Sequence, residues 1–274
     1  MDNKITKNIH FYTIKLMDLY TAAKNDPKYI FPINKLIPMN EFKIDNKIFC
    51  VEIIDSNDDH VFGILSIKDA DQPIDLRIRQ ANNDTRNILN ENEQLEKFTF
   101  FYINKMEDGS FNIAALSSKV IQQFDKCFEK YLSTCKINEF EIYPEIIEDA
   151  ENEIKNITDY VSSSLEFDTK GSNELMNNLF DLSDISNNNF IKKLQISFNF
   201  EKNKNPGMYI KKIISIMKPS KNAITIKNGD YEFIVDAITN TLTRKKRVEI
   251  DRVHFYNKKK YPEIKNEFTI AFKS

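Results

Sequence analysis

The sequence predicts an α+β protein of two lobes, each a mostly antiparallel sheet with helices packed on it. Three observations carry that expectation. β-rich runs come in pairs around short polar tips, two apolar stripes recur at helical spacing, and a hydrophilic stretch divides the chain near residue 170. The expected lobes are residues 1–169 and 170–274. With 274 residues and 41% hydrophobic side chains, the chain has material for two ordinary cores.

The elements follow in order. "NIHFYTIKL" alternates polar and apolar residues and is read as a strand. Ile48–Ile54 and Val61–Ile67 flank an Asn-Asp-Asp tip, and Phe98–Asn104 and Ser110–Leu116 flank Glu107-Asp108-Gly109; each pair is a hairpin. The polar "NNDTRNILNENEQLEK" between the hairpins is read as helix plus loop. Val120, Phe124, Cys127, Phe128, Tyr131 and Leu132 form an amphipathic helix that should cover one face of the sheet. A strand ending at Pro144 follows, then an acidic helix over "IIEDAENEIKNITDYVSSSL". In the second half, Leu194, Ile196, Phe198 and Phe200 share one face of a strand. Pro206 and Pro219 bracket a helix whose stripe is Tyr209, Ile210, Ile213, Ile214 and Met217. "AITIKNGDYEFIV" is a hairpin turning at Asn228-Gly229, and "RVEIDRV" should add one more strand.

Most catalytic chemistries find no signature. No apolar run approaches twenty residues and the N-terminus lacks the pattern of an export signal, so neither a membrane span nor secretion is expected. Cys50, Cys127 and Cys135 form no CxxC pair, which suits packing in a reducing cytoplasm better than a disulfide framework, a zinc site or a nucleophile. Asp58-Asp59-His60 is a hairpin tip before it is a metal site, and five scattered glycines supply no phosphate loop or nucleophile elbow. Neither cofactor nor metal is expected. A metal-dependent nuclease needs only an acid and a Glu-x-Lys tripeptide on neighbouring strands; Glu153-Ile154-Lys155 and Glu263-Ile264-Lys265 match it, in a chain where such matches arise by chance.

Charge is more informative. The total is −2, yet residues 191–274 hold 19 Lys and Arg against 8 Asp and Glu, leaving 20 against 33 for residues 1–190. A half at +11 beside a half at −13 suggests an anionic partner for the basic half, and electrostatic masking of one half by the other. The candidate phosphate-binding residues are Lys192, Lys193, Lys202, Lys204, Lys211, Lys212, Arg244, Lys245, Lys246, Arg247, Lys258, Lys259 and Lys260. Several such cations on one face bind duplex through counterion release without reading bases. Tyr256 and Phe255 stand beside the last run as possible stacking groups. Clusters such as RKKR also cap edge strands, where lysine discourages aggregation, and an acidic partner protein would suit the same charge.

The order of elements adds a further expectation. "HVFGIL", "IDLRIRQ", "FTFFYINKMEDGSFNIAAL", "VIQQFDKCFEKYL" and "FEIYPEI", followed by "NLFDLSDI" and "AITIKNGDYEFIVDAITNTLTRKKRVEI", resemble in layout the RexA-like phage exclusion proteins over most of the chain. That resemblance implies a two-lobed homodimer binding double-stranded DNA without sequence preference. It also implies a sensor role in bacterial or prophage defence, acting through a partner such as a membrane protein and not as an enzyme. No motif in it assigns a residue role.

Overall fold

The computed structural model describes residues 4–17, 30–68, 77–79, 85–87, 96–117, 123–148, 162–168, 193–199, 223–228, 230–236 and 241–273. Mostly antiparallel sheet accounts for them, with few helices. Contacts cluster into two units, Met1–Pro144 with Ile250–Ser274, and Glu145–Glu249. The C-terminal residues, expected in the basic lobe, therefore belong with the N-terminal half.

In the first unit the strands are β1 (Lys4–Leu16), β2 (Met39–Ile44), β3 (Lys47–Ser56) and β4 (His60–Lys68). A separate ribbon pairs β5 (Arg77–Arg79) with β6 (Thr85–Asn87). After β7 (Glu96–Lys105) and β8 (Phe111–Leu116) come helix α1 (Phe124–Thr134) and β9 (Phe140–Pro144). The sheet runs β9-β1-β8-β7-β4-β3-β2, every pair antiparallel. Both expected hairpins form, and the strand ending at Pro144 is β9. Thr85–Asn87 is strand where helix or loop was expected; asparagine-rich sequence is a poor helix former, and pairing with β5 satisfies this backbone instead. The other residues of that stretch fall outside the described residues, apart from the start of β7.

Turn chemistry fixes the hairpins. Asp45, at φ 52°, opens the two-residue turn between β2 and β3, a conformation that short polar side chains tolerate. Gly109, at φ 82°, lets the β7–β8 turn close with the Met106 N–H donating to the Ser110 carbonyl at 2.7 Å. Gly63 serves packing: a Cβ there would lie 2.6 Å from the Glu52 carbonyl oxygen and 2.7 Å from the Phe101 ring.

Both faces of this sheet are covered. On one, Phe124, Cys127, Phe128, Tyr131 and Leu132 of α1 pack over Val51, Leu65, Phe101, Ile103 and Ile113, as the periodicity predicts. Lys136 adopts the left-handed conformation after α1, and the Ile137 N–H bonds back to the Leu132 carbonyl at 2.9 Å, ending the helix. On the other face lie α2 (Arg252–Tyr256) and α3 (Tyr261–Lys273), where Phe255, Tyr261 and Phe268 meet Phe62, Phe100 and Tyr102. This second layer explains the run Val61–Ile67, buried throughout: a sheet buried on both faces cannot alternate polar with apolar. Each fully buried Phe or Ile in α3 contributes about 1.5–3 kcal/mol.

In the second unit, β10 (Ile147–Glu148), β11 (Ser162–Asp168), β12 (Lys193–Asn199), β13 (Ala223–Asn228), β14 (Tyr231–Asp236) and β15 (Thr241–Asp251) form the order β12-β11-β13-β14-β15, with β10 pairing β15 on the side opposite β14. The expected strand at Leu194 and the hairpin about Asn228 are present. The acidic helix expected over residues 146–165 lies largely outside the described residues; at its two ends Ile147–Glu148 and Ser162–Asp168 are strands. A serine-rich run has little helix preference, and β11 gains ladder partners on both sides. The helix expected between Pro206 and Pro219 lies outside the described residues. "RVEIDRV" was expected as one strand, but β15 begins at Thr241 and ends at Asp251, whose carboxylate caps α2 by accepting from the Val253 N–H at 3.0 Å.

Candidate nucleic-acid interface

The basic segment from Thr243 to Lys260 divides into two parts with different physical character. The first lies on β15, where side chains alternate between faces. Leu242, Lys246, Val248 and Ile250 are buried on one face, while Arg247 and Glu249 are exposed on the other. Arg244 and Lys246 share the parity of the core residues, and the strand therefore turns them inward.

Arg244 is held by a carboxylate. Its Nε donates to Glu145 Oε2 at 2.6 Å and its Nη2 to Oε1 at 3.3 Å, with the two side chains only 20% and 12% exposed. Such a fork pairs a guanidinium with a carboxylate in its preferred geometry. Lys245 faces Glu232 across the β14–β15 ladder, and Nζ reaches Oε1 at 2.7 Å. Lys246, 7% exposed, sits opposite Tyr231 with Nζ 5.3 Å from its ring centroid, a cation–π contact. Arg247 faces water, 3.9 Å from the equally exposed Glu249. Three of the four cations in this run thus serve the fold.

The second part is built for exposure. Phe255 anchors α2 by packing edge-on against Phe100, leaving Tyr256 75% exposed beside Arg252, which is exposed four residues earlier. Of the two aromatic stacking candidates, Phe255 is therefore core and Tyr256 is surface. Asn257 caps a single 3-10 turn, Lys258–Lys260, by accepting from the Lys259 N–H at 3.1 Å. Lys258 reaches Glu52 at 3.1 Å, and that hydrogen bond raises its pKa above the ordinary lysine value. Lys259 and Lys260 are exposed and make no ion pair among the described residues. From Arg252 to Lys260 there are four cations and no acid.

The other candidates behave differently. Lys193 opens β12, opposite Asp168 in register. Lys192, Lys202, Lys204, Lys211 and Lys212 lie outside the described residues. The charge split itself does not follow the compact units: the first holds 24 Lys and Arg against 25 Asp and Glu, the second 15 against 16. Masking of a basic lobe by an acidic one loses its premise, and local exposure of cations becomes the quantity that matters.

Residues weighed for catalysis have structural partners. Glu263-Ile264-Lys265 lies on α3 and not on a strand; Ile264 is buried, and Lys265 donates to Asp55 Oδ2 with Nζ 2.8 Å from His60 Nε2. Asn57 accepts from the N–H groups of Asp59 and His60, both at 2.9 Å, making the tip a polar turn. Lys265 and His60 hold the Asp55 carboxyl below the usual carboxylate range. Glu153-Ile154-Lys155 lies outside the described residues. Among the described residues no three His, Cys, Asp or Glu side chains converge as metal ligands. All three cysteines are buried; burial and Asp125 push the Cys127 thiol up to about 11, far from a nucleophile's range. Among the described residues no helix is long and apolar enough to cross a membrane.

Two features that shape this surface carried no expectation from the sequence. Glu145 follows Pro144 and carried no signal of its role. The C-terminal helices had one: the unbroken apolar runs of β4 and β7 require a second covering layer. Compared with known proteins, the chain matches no family model and no curated relative.

Proposed function

We propose that the chain binds double-stranded DNA through its phosphate backbone, without reading sequence, and that Arg252, Lys258, Lys259 and Lys260 make the principal contact. The observation that carries this reading is an acid-free stretch of four exposed cations, Arg252 on α2 and three lysines on the capped turn that follows it. Arg247 is a further exposed cation. The Lys258–Glu52 pair is no obstacle, because an exposed ion pair is worth little and a phosphate replaces the carboxylate at small cost. Among the described residues no groove-reading element accompanies these cations, which favours backbone contact over base readout.

Four phosphate contacts give a log–log salt slope of roughly −3 to −4, so affinity should fall about 100-fold between about 50 and 200 mM salt. Titrating random-sequence duplex by fluorescence anisotropy over a salt series tests this; no binding at low salt ends the proposal. The sensor role in phage defence, through a partner such as a membrane protein, rests on the layout resemblance alone. Phage plating on cells expressing the chain, with and without its neighbouring genes, tests that part. A second reading, an acidic partner protein at the same surface, is favoured by the exposed Val253 and Tyr256 beside the cations. It predicts capture of an acidic polypeptide that duplex does not displace.

A further inference from the structure

Strand β2 is an edge of the first unit's sheet: among the described residues its one strand neighbour is β3. An edge strand presents a row of backbone donors and acceptors, and proteins either blunt that row or use it. Around this edge Met39 is 65% exposed, and Ile37 and Ile48 are more than a third exposed, which is apolar surface beside an open ladder. Asn40, Phe42 and Ile44 point toward the core face while Met39, Glu41 and Lys43 point to water.

We propose that β2 pairs antiparallel with β2 of a second copy, related by a two-fold axis through Phe42. The register follows from elementary constraints. In an antiparallel pair, residues directly opposite share a face, so a pairing that keeps Phe42 on the core side must oppose odd with odd and even with even. Three central registers satisfy this. One sets Glu41 against Glu41, and another sets Lys43 against Lys43; like charges directly opposite destabilise a sheet. The third sets Phe42 against Phe42, Asn40 against Ile44, and Glu41 against Lys43 twice, once on each side of the axis. Charge thus selects a single self-complementary register, the isologous contact of a closed dimer. Glu41 is bonded through Oε1 to Lys68, and Lys43 makes none of the ion pairs among the described residues, so both can meet a partner without breaking the fold's own contacts.

The test exploits the symmetry, with mass followed by light scattering and analytical ultracentrifugation over a dilution series. The full chain should be a dimer that dissociates on dilution. Glu41→Lys alone places lysine against lysine, and Lys43→Glu alone places glutamate against glutamate, so each should be monomeric. An equimolar mixture of the two should restore the dimer as a heterodimer, because every opposed pair then has opposite sign. Lys43→Glu leaves intact every ion pair among the described residues, and circular dichroism confirms its fold. A wild type that stays monomeric at high concentration overturns the proposal. So do single variants that dimerise like wild type, or a mixture that remains monomeric. None of these outcomes depends on whether the chain binds DNA.

Discussion

Arg244→Ala separates a structural cation from a binding one within a single basic run. The substitution leaves the Glu145 carboxylate, 12% exposed, without the guanidinium that donates to both of its oxygens. Removing one partner of a fully buried pair costs about 3–5 kcal/mol, and partial water access here reduces that to about 2–3 kcal/mol. For a chain of this size the loss lowers Tm by about 5–10 °C. Circular dichroism melts measure the shift. Because the cost comes from the stranded carboxylate, Arg244→Ala combined with Glu145→Ala should recover part of it, a coupling read from the double-mutant cycle. Duplex affinity, measured well below the transition, should be unchanged. An unshifted Tm with weakened DNA binding would refute the reasoning, since Arg244 would then be a phosphate ligand and its pairing incidental.

Two further outcomes follow from the first unit. Gly63→Ala forces a methyl group against the Glu52 carbonyl and the Phe101 ring, neither free to move inside a sheet covered on both faces, and should destabilise by about 1–3 kcal/mol in chemical denaturation. The Asp55 carboxyl is held below its ordinary pKa by Lys265 and then His60. Its contribution to stability is therefore complete above the unfolded value near 3.9 and is lost as pH falls through the lower folded value. Asp55→Asn should flatten the dependence of Tm on pH below about pH 4, and an unaltered acid limb would show that the Lys265–Asp55 contact contributes nothing to the fold.

The sequence made local structure legible wherever a periodicity was clean. Paired β-rich runs gave the β3–β4 and β7–β8 hairpins, and the stripe from Phe124 to Leu132 gave α1 with its buried residues. It failed where tertiary context decides. Ser162–Asp168 lacks a strong strand signature and is held by neighbours on both sides, and Tyr261–Lys273 is short enough that Pro262 and mixed charges hid its stripe. The candidate site shows the same division. Counting charge along the chain found the basic segment but could not weigh it, because sequence distance does not show that Glu145 lies against Arg244. Strand parity was a usable signal: Arg244 and Lys246 fall in step with Leu242 and Val248, which marks them as inward-facing. Tyr256 and Phe255 are adjacent in sequence, and only packing against Phe100 tells which of them meets water.

The most direct test replaces Arg252, Lys258, Lys259 and Lys260 together by glutamine and compares the salt dependence of duplex binding with that of the parent. Losing these contacts should reduce the steepness of the log–log plot by about 3 to 4 and abolish most binding at low salt, with Tm little changed. A variant that keeps the parent's slope and affinity would contradict the account.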